Sequence, residues 1–504
     1  MIINLLGYLE NSSIKFKNKI AVEEANKKLS FSQLKFKSQK IGSLITSLFN
    51  AKFQNQPIVI FLPKSIDALI SFFGSLYSGN FYVPIDTNSP PKRISQIIKT
   101  LRANCLITKK KYKNIILKSG YRGKIIFLDK TIKKKGKEKN NLTKILESKI
   151  DLDPVYAIPT SGTTGVPKLV LISHRSVIDY IEWAKKCYKI TNKETMGNQA
   201  PFYFDNSTLD IYLMLSTGCK LIIIPEEKFT YPVELIKYLN LKKITIVFWV
   251  PSALVNIANF DALKNKKLKY LKSILFAGEV MPNKHLNYWR KKNPKILYSN
   301  LYGPTEITVD CTYYIVKKKF KDEDSLPIGF PCRNSNILIL NKKRILCKIN
   351  EIGELCVRGS SLALGYYNDE KRTKEVFIQN PLNSSYDDKI YLTGDLVFLN
   401  KEREIIFVGR KDDQIKHLGY RIELSEIENA ALKIRDVKNV CVLYNSQKKI
   451  IALFYLGKTD KKKIYLGLIN SIPKYMLPSK FISLKKFPLN SNGKIDKKKL
   501  ARKI

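Results

Sequence analysis

Short apolar runs recur up to about residue 400, each followed by a stretch whose apolar positions return at helical spacing. "IVIFL" at 58–62 precedes a helical pattern over 65–77, and "FYVPI" follows at 81–85. "LVLIS" at 169–173 precedes "HRSVIDYIEWAKKCY" at 174–188, and "KLIIIP", "ITIVFWV" and "SILFAGE" follow at 220–225, 244–250 and 273–279. A run that is apolar at every position, not at alternate ones, marks a strand covered on both faces. Helices between such strands supply the crossovers that parallel pairing needs. The expectation is a large N-terminal layered α/β domain with parallel sheets. The basic, polar segment 130–149 reads as an exposed loop or insertion.

The pattern changes near residue 411. "VKNVCVLYNSQKKIIALFYL" at 437–456 reads as two strands joined by a polar turn at 445–449. A helical stretch, a strand in "FISLKKF" at 481–487 and a lysine-rich tail follow. This is the signature of a smaller C-terminal α+β domain. The polar junction "VGRKDDQIKHLGYR" at 408–421 suits a hinge. The expected domains are 1–410 and 411–504, since 504 residues exceed what one core organises.

Hydrophobic residues make up 44% of the chain, which excludes disorder by composition. No apolar stretch reaches membrane-span length and the N-terminus lacks a basic leader, so no membrane insertion is expected. Eight cysteines without a CxxC pair, and only three histidines, argue against a zinc site and for a reducing cytoplasm. The net charge of +46 raises nucleic acid as a partner. The lysines are spread along the whole chain, however, which favours a basic solvated surface that attracts acidic proteins over a specific nucleic-acid site.

Five stretches carry candidate chemistry. In "TSGTTGVPK", Gly162 and Gly165 free backbone N–H groups to turn inward. Thr160, Ser161, Thr163 and Thr164 add hydroxyls and Lys168 a charge, together a cradle for polyphosphate. Pro167, Lys168 and Leu169 stand where a Walker A loop needs Gly-Lys-Ser/Thr, so this is not that loop. In "SNLYGPTEITVDCT" at 299–312, Asn300 and Tyr302 can hold a base, Gly303 and Pro304 form a turn, and Glu306 offers a hard oxygen to Mg²⁺. "YLTGDLV" places Asp395 where it can accept from ribose hydroxyls. "GRKDDQIKHLGYRIELSEIE" carries Arg410 and Asp412 at the boundary, and "LNSNGKIDKKKL" holds Lys494 in a glycine-containing turn.

In this order, together with "GEL", "RG" and "GY" between residues 353 and 366, these motifs resemble the adenylate-forming superfamily. That superfamily holds acyl-CoA synthetases, luciferases and the adenylation domains of nonribosomal peptide synthetases. The resemblance runs from "LSFSQL" at 29–34 to Lys494. "FDNS" at 204–207 is similar to the element whose aspartate binds a substrate α-ammonium, a role implied for Asp205. "FAGEVMP" and "FYVPIDTNSPPKRI" look most like D-alanine–carrier-protein ligases. Where those ligases carry a pocket cysteine this chain has Ala277, which leaves D-alanine and its chirality open.

The resemblance implies ATP-dependent activation of an amino acid as its adenylate, with Mg²⁺, followed by thioester transfer to the phosphopantetheine of a separate, acidic carrier protein. It implies catalytic roles for Lys494, Glu306 and Thr305. It implies ATP contacts from the 160–165 loop, Lys168, Gly278, Glu279, Asn300, Leu301, Tyr302, Gly303, Pro304, Thr305, Asp395, Arg410 and Lys494. The implied substrate pocket is Asp205, Asn206, Leu209, Phe248, Leu275, Ala277, Leu301, Val309, Asp310 and Lys494, and the hinge is Asp412. Its bulky members favour D-alanine or another small amino acid, while Asp310 leaves serine or a small cationic side chain open. Two other readings remain: an acyl- or aryl-CoA ligase, and a basic nucleic-acid-binding protein with a vestigial fold.

Overall fold

A computed structural model describes residues 2–49, 52–131, 140–162, 165–488 and 495–504. Two large mixed sheets carry most of the chain. The seven-stranded sheet runs Gly365–Tyr366, Lys168–Ser173, Pro154–Thr160, Phe81–Pro84, Pro57–Ile60, Cys105–Thr108, Lys124–Phe127. Its strands from Pro154–Thr160 onward are parallel. The nine-stranded sheet is parallel from Leu297–Tyr302 through Ser273–Phe276, Ile246–Trp249, Thr195–Asn198 and Lys220–Ile223 to Ile20–Glu24. These strands are mostly buried at every position, as expected for sheets covered on both faces. Helices Ile66–Tyr77 and Ser207–Thr217 bury nearly every side chain in the largest core cluster.

The run at 169–173 departs from the parallel expectation. Its strand pairs antiparallel with Pro154–Thr160, because the short 161–167 connection leaves no room for a crossover helix. The expected loop at 130–149 is also corrected. A helix spans Asn140–Glu147 and buries Leu142 and Ile145, apolar residues whose helical spacing is masked by the surrounding lysines. Residues 132–139 of that segment lie outside the described residues.

A third sheet is antiparallel: Ser335–Leu340, Gly353–Gly359, Lys389–Leu399 and Phe377–Gln379, with Ile405–Arg410 on Lys389–Leu399. The chain then enters the hairpin Gln414–His417/Tyr420–Glu423. Beyond it, Val437–Asn445 and Ile450–Gly457 pair antiparallel and Lys480–Ser483 joins in parallel, with helices Leu424–Leu432 and Lys461–Ile469 alongside. This is the expected smaller α+β unit, with its own core around Ile427, Leu453 and Leu468. Among the described residues, no helix is long and apolar enough to cross a membrane, and no cluster of three or more His, Cys, Asp or Glu could cage a metal.

Candidate active site

The strands Pro154–Thr160 and Lys168–Ser173 carry the hydroxyl- and glycine-rich loop between them at one end of the seven-stranded sheet. A Cβ on Gly162 would lie 2.1 Å from the Val166 carbonyl oxygen, so the loop closes only with glycine there. Thr163, Thr164 and Lys494 lie outside the described residues. Thr160 and Ser161 line a cavity of about 280 Å³ together with Asp205, Asn206, Gly278, Gly303, Pro304, Thr305, Asp395 and Arg410. Side chains more than two hundred residues apart thus meet at one place.

The remaining expected residues stand behind that lining. Asn300 donates from Nδ2 to the Pro327 carbonyl at 2.8 Å, so its amide is engaged within the protein. Tyr302 donates its hydroxyl to Asp395, and the Lys416 ammonium sits 5.6 Å from its ring centre. Arg410 reaches Asp395 at 2.6 Å and also grips Asp412, through Nε at 2.6 Å and Nη2 at 2.7 Å. The expected hinge residue is therefore tied to the expected ribose ligand through one guanidinium.

Leu209, Phe248, Leu275, Ala277, Leu301 and Val309 all belong to the buried apolar cluster around the helix that starts just after Asp205. Asp205 is buried, and burial pushes its carboxyl above the ordinary range, with a Thr305 hydrogen bond and the Lys416 charge opposing the rise. Asp310 is buried as well. Burial drives its carboxyl up to about 7, although the Tyr180 hydroxyl donates to it at 2.6 Å.

Glu306 is fully buried. Burial alone would raise its carboxyl, but the attraction of Arg421 and Lys168 outweighs burial and holds it down at about 2. Arg421 donates to Oε2 at 2.6 Å and the Tyr366 hydroxyl to Oε1 at 2.8 Å. A buried carboxylate that already faces a cation fits a hard divalent ion once the guanidinium withdraws.

Sequence reasoning singled out only Arg410 and Asp412 in "GRKDDQIKHLGYRIELSEIE". The structure brings in much more of it: Gln414, Lys416, Leu418, Gly419, Tyr420 and Arg421 all line the cavity. Lys416 is half-buried and feels the charges of Asp395 and Asp205, and desolvation lowers its ammonium despite their attraction. Gly419 sits at φ +82° and gives its N–H to Glu279 Oε1 at 2.8 Å. Tyr420 stacks on Tyr475 at 3.8 Å and meets Phe204 edge-on at 4.8 Å, which makes one wall aromatic.

The family described as AMP-binding enzyme matches residues 9–367. Zwittermicin A synthase ZmaJ of Bacillus cereus is 32% identical over 504 residues, covering 98% of this chain and 93% of that protein. Gramicidin S synthase 1 of Brevibacillus brevis is 32% identical over 489 residues, covering 96% of this chain, which spans only 43% of that relative. Among solved structures, the Vibrio cholerae adenylation domain AlmE, in complex with glycyl-adenosine-5'-phosphate, aligns with a TM-score of 0.84 at 18% identity. That alignment covers 100% of this chain and 98% of that one. NpsA-ThdA, an artificially fused adenylation–PCP di-domain from Klebsiella oxytoca, gives 0.83 at 20%, covering 95% and 94%. Both share the fold, a large N-terminal and a small C-terminal domain. The sequence matches carry the assignment further: the chain belongs to the AMP-binding enzymes of the adenylate-forming superfamily, of the type formed by the adenylation domains of nonribosomal peptide synthetases.

Proposed function

We propose that this chain is an AMP-forming ligase that activates a small amino acid as its adenylate and passes it to the phosphopantetheine thiol of a separate carrier protein. The observation that carries the reading is Asp205, a buried carboxylate on the wall of a cavity shared with the glycine loop and Asp395. A desolvated carboxylate there favours a substrate with a cationic α-ammonium and penalises a plain fatty or aryl acid, which would leave it unpaired. This speaks against the acyl- or aryl-CoA ligase reading. D-alanine or another small amino acid is favoured because the expected pocket members Leu209, Phe248, Leu275 and Val309 are bulky and packed into the apolar core. Serine or a small cationic side chain is the competitor that Asp310 favours.

In the first half-reaction the substrate carboxylate displaces pyrophosphate from the α-phosphate of ATP, and negative charge grows on the phosphate oxygens. Lys494, the loop N–H groups and Thr305 are the donors assigned to that charge. Asp395, braced by Arg410, is assigned the ribose hydroxyls. Glu306 would hold Mg²⁺, which when bound neutralises phosphate charge. In the second half-reaction the thiol attacks the adenylate carbonyl and AMP leaves. The 411–504 domain is assigned a change of pose about Asp412 between the two steps. The net charge of +46 supports an acidic carrier, whose encounter such a surface would speed. ATP–pyrophosphate exchange across L- and D-amino acids tests the reading. One or a few small amino acids should support exchange. Exchange that needs a carboxylic acid without an amino group would overturn it.

A further inference from the structure

The connection at 341–352 joins the strands Ser335–Leu340 and Gly353–Gly359 of the third sheet and forms the tip of a hairpin. Hydrogen bonds fix its backbone. The Asn341 N–H donates to the Ile345 carbonyl at 3.0 Å and the Arg344 N–H to the Asn341 carbonyl at 2.8 Å, with Arg344 at φ +61°. The Cys347 N–H returns to the Ile339 carbonyl at 2.9 Å. A second turn closes through the Glu351 N–H on the Lys348 carbonyl at 3.0 Å and the Lys348 N–H on Glu351 Oε2 at 2.8 Å. The Asn350 N–H fastens this turn to the Leu399 carbonyl at 2.8 Å. The two turns hold Ile345, Leu346, Ile349 and Ile352 at 49 to 54% exposure. Single apolar side chains on a surface are ordinary, but four within 345–352 on a fixed backbone form a patch.

The charge around the patch is mostly of one sign. Lys342, Lys343, Arg344 and Lys348 are interleaved with the aliphatic residues, and Lys401 and Arg403 stand on the turn that follows Leu399; all six are exposed. On the acidic side, Glu351 is folded onto its own turn, and Glu354 is paired with Lys411 at 2.7 Å, which leaves Glu402. An acidic protein surface would answer these cations and not the aliphatic side chains. A bilayer with anionic headgroups answers both, since its phosphates lie directly above an apolar layer.

We infer that the 341–352 hairpin tip is a membrane-surface contact, whose aliphatic side chains enter the headgroup layer of an anionic bilayer while Lys342, Lys343, Arg344 and Lys348 pair with lipid phosphates. The chain lies on the membrane and not through it, in keeping with the absence of a spanning helix among the described residues. The tip contributes no side chain to the described lining of the cavity, so it holds the enzyme at a surface without touching the site. The inference is independent of which acid is activated.

The test is co-sedimentation of the full chain with vesicles of phosphatidylcholine, alone or mixed with phosphatidylglycerol, at physiological salt. Wild type should bind the mixed vesicles and not the phosphatidylcholine ones. Ile345→Ser/Leu346→Ser/Ile349→Ser keeps every charge and should weaken partitioning at least about tenfold. Lys342→Gln/Lys343→Gln/Arg344→Gln should weaken it by a similar factor, with the difference from wild type shrinking as salt is raised. Both triple variants alter exposed side chains and should keep the wild-type Tm. Ile345→Trp, a single change, should gain an emission component that shifts to the blue on mixed vesicles and is quenched by brominated acyl chains. The inference is overturned if wild type ignores the anionic vesicles or if the Trp emission does not move. It is overturned equally if the serine variant binds as wild type does, since charge spread over the whole surface would then carry the binding. A dimer in sedimentation that the serine variant abolishes would assign the tip to a second copy of the chain instead.

Discussion

Removing the Asp205 carboxylate should separate amino-acid recognition from nucleotide recognition. Asp205 is buried on the cavity wall, and burial raises its carboxyl while the Thr305 hydrogen bond and the Lys416 charge resist. An ammonium bound there would be desolvated with Asp205 as its counter-ion. Asp205→Ala leaves that charge unpaired, at a cost of about 2 to 5 kcal/mol, or roughly 30- to 5,000-fold in amino-acid KM. The ATP KM should move by less than about threefold, because Asp395, Arg410 and the glycine loop remain. Asp205→Asn keeps the shape and loses the charge, so it should lie close to alanine and not to wild type. pH adds a second reading. A raised carboxyl loses its charge earlier as pH falls, so the acid limb of kcat/KM for the amino acid should sit above the ordinary carboxylate range and vanish in Asp205→Asn. The assay is amino-acid-dependent ATP–pyrophosphate exchange with each substrate varied in turn. An unchanged amino-acid KM, or an ATP KM that rises in parallel, would refute the assignment.

Three further outcomes are expected. Gly419→Ala places a Cβ 2.7 Å from Val250 Cγ1 in a backbone at φ +82°, where a side chain costs about 1 to 2 kcal/mol, so thioester transfer should slow about tenfold while exchange is spared. Equal loss of both steps in rapid-quench kinetics would count against a part for Gly419 in the transfer step alone. Lys494→Ala should cripple adenylate formation yet leave transfer from preformed adenylate largely intact; a parallel loss would contradict its assigned place. Asp210, buried with Asn198 Nδ2 at 2.8 Å, has its carboxyl raised by burial to about 8. Its unfolded form gives up the proton near 4 and its folded form only near 8. Stability from this group is thus present at low pH and lost as pH climbs through that window. The Tm of wild type should fall from pH 5 to pH 8 more steeply than that of Asp210→Asn, and identical slopes would reject the shift.

The strands were legible wherever a run was apolar throughout, as at Pro57–Ile60 and Ser273–Phe276, because two-sided burial leaves that imprint on sequence. Sequence identity of strand does not reveal its direction: Lys168–Ser173 looks like its parallel neighbours and is turned by the shortness of one connection. The glycine loop, Asp205 and Asp395 were legible as motifs, and the structure gathers them on one cavity. Lys416, Arg421, Glu423 and Glu426 were not, since nothing local distinguishes them from a charged linker. Their partners arrive from far along the chain, Glu306 at 115 residues from Arg421 and Gly162 at 264 from Glu426. Tyr203, Tyr420 and Tyr475 were missed for the same reason, for an aromatic wall built from three separate segments has no periodicity to read.

The most direct measurement is hydroxylamine trapping of the activated acyl group, read by mass spectrometry, with ATP and a panel of small amino acids beside their deaminated analogues. The expected result is a hydroxamate from one or a few amino acids, AMP in equal amount, and loss of both in Asp205→Ala. Hydroxamate from the deaminated acids as readily as from the amino acids, or equal yields from wild type and Asp205→Ala, would contradict amino-acid activation at this site.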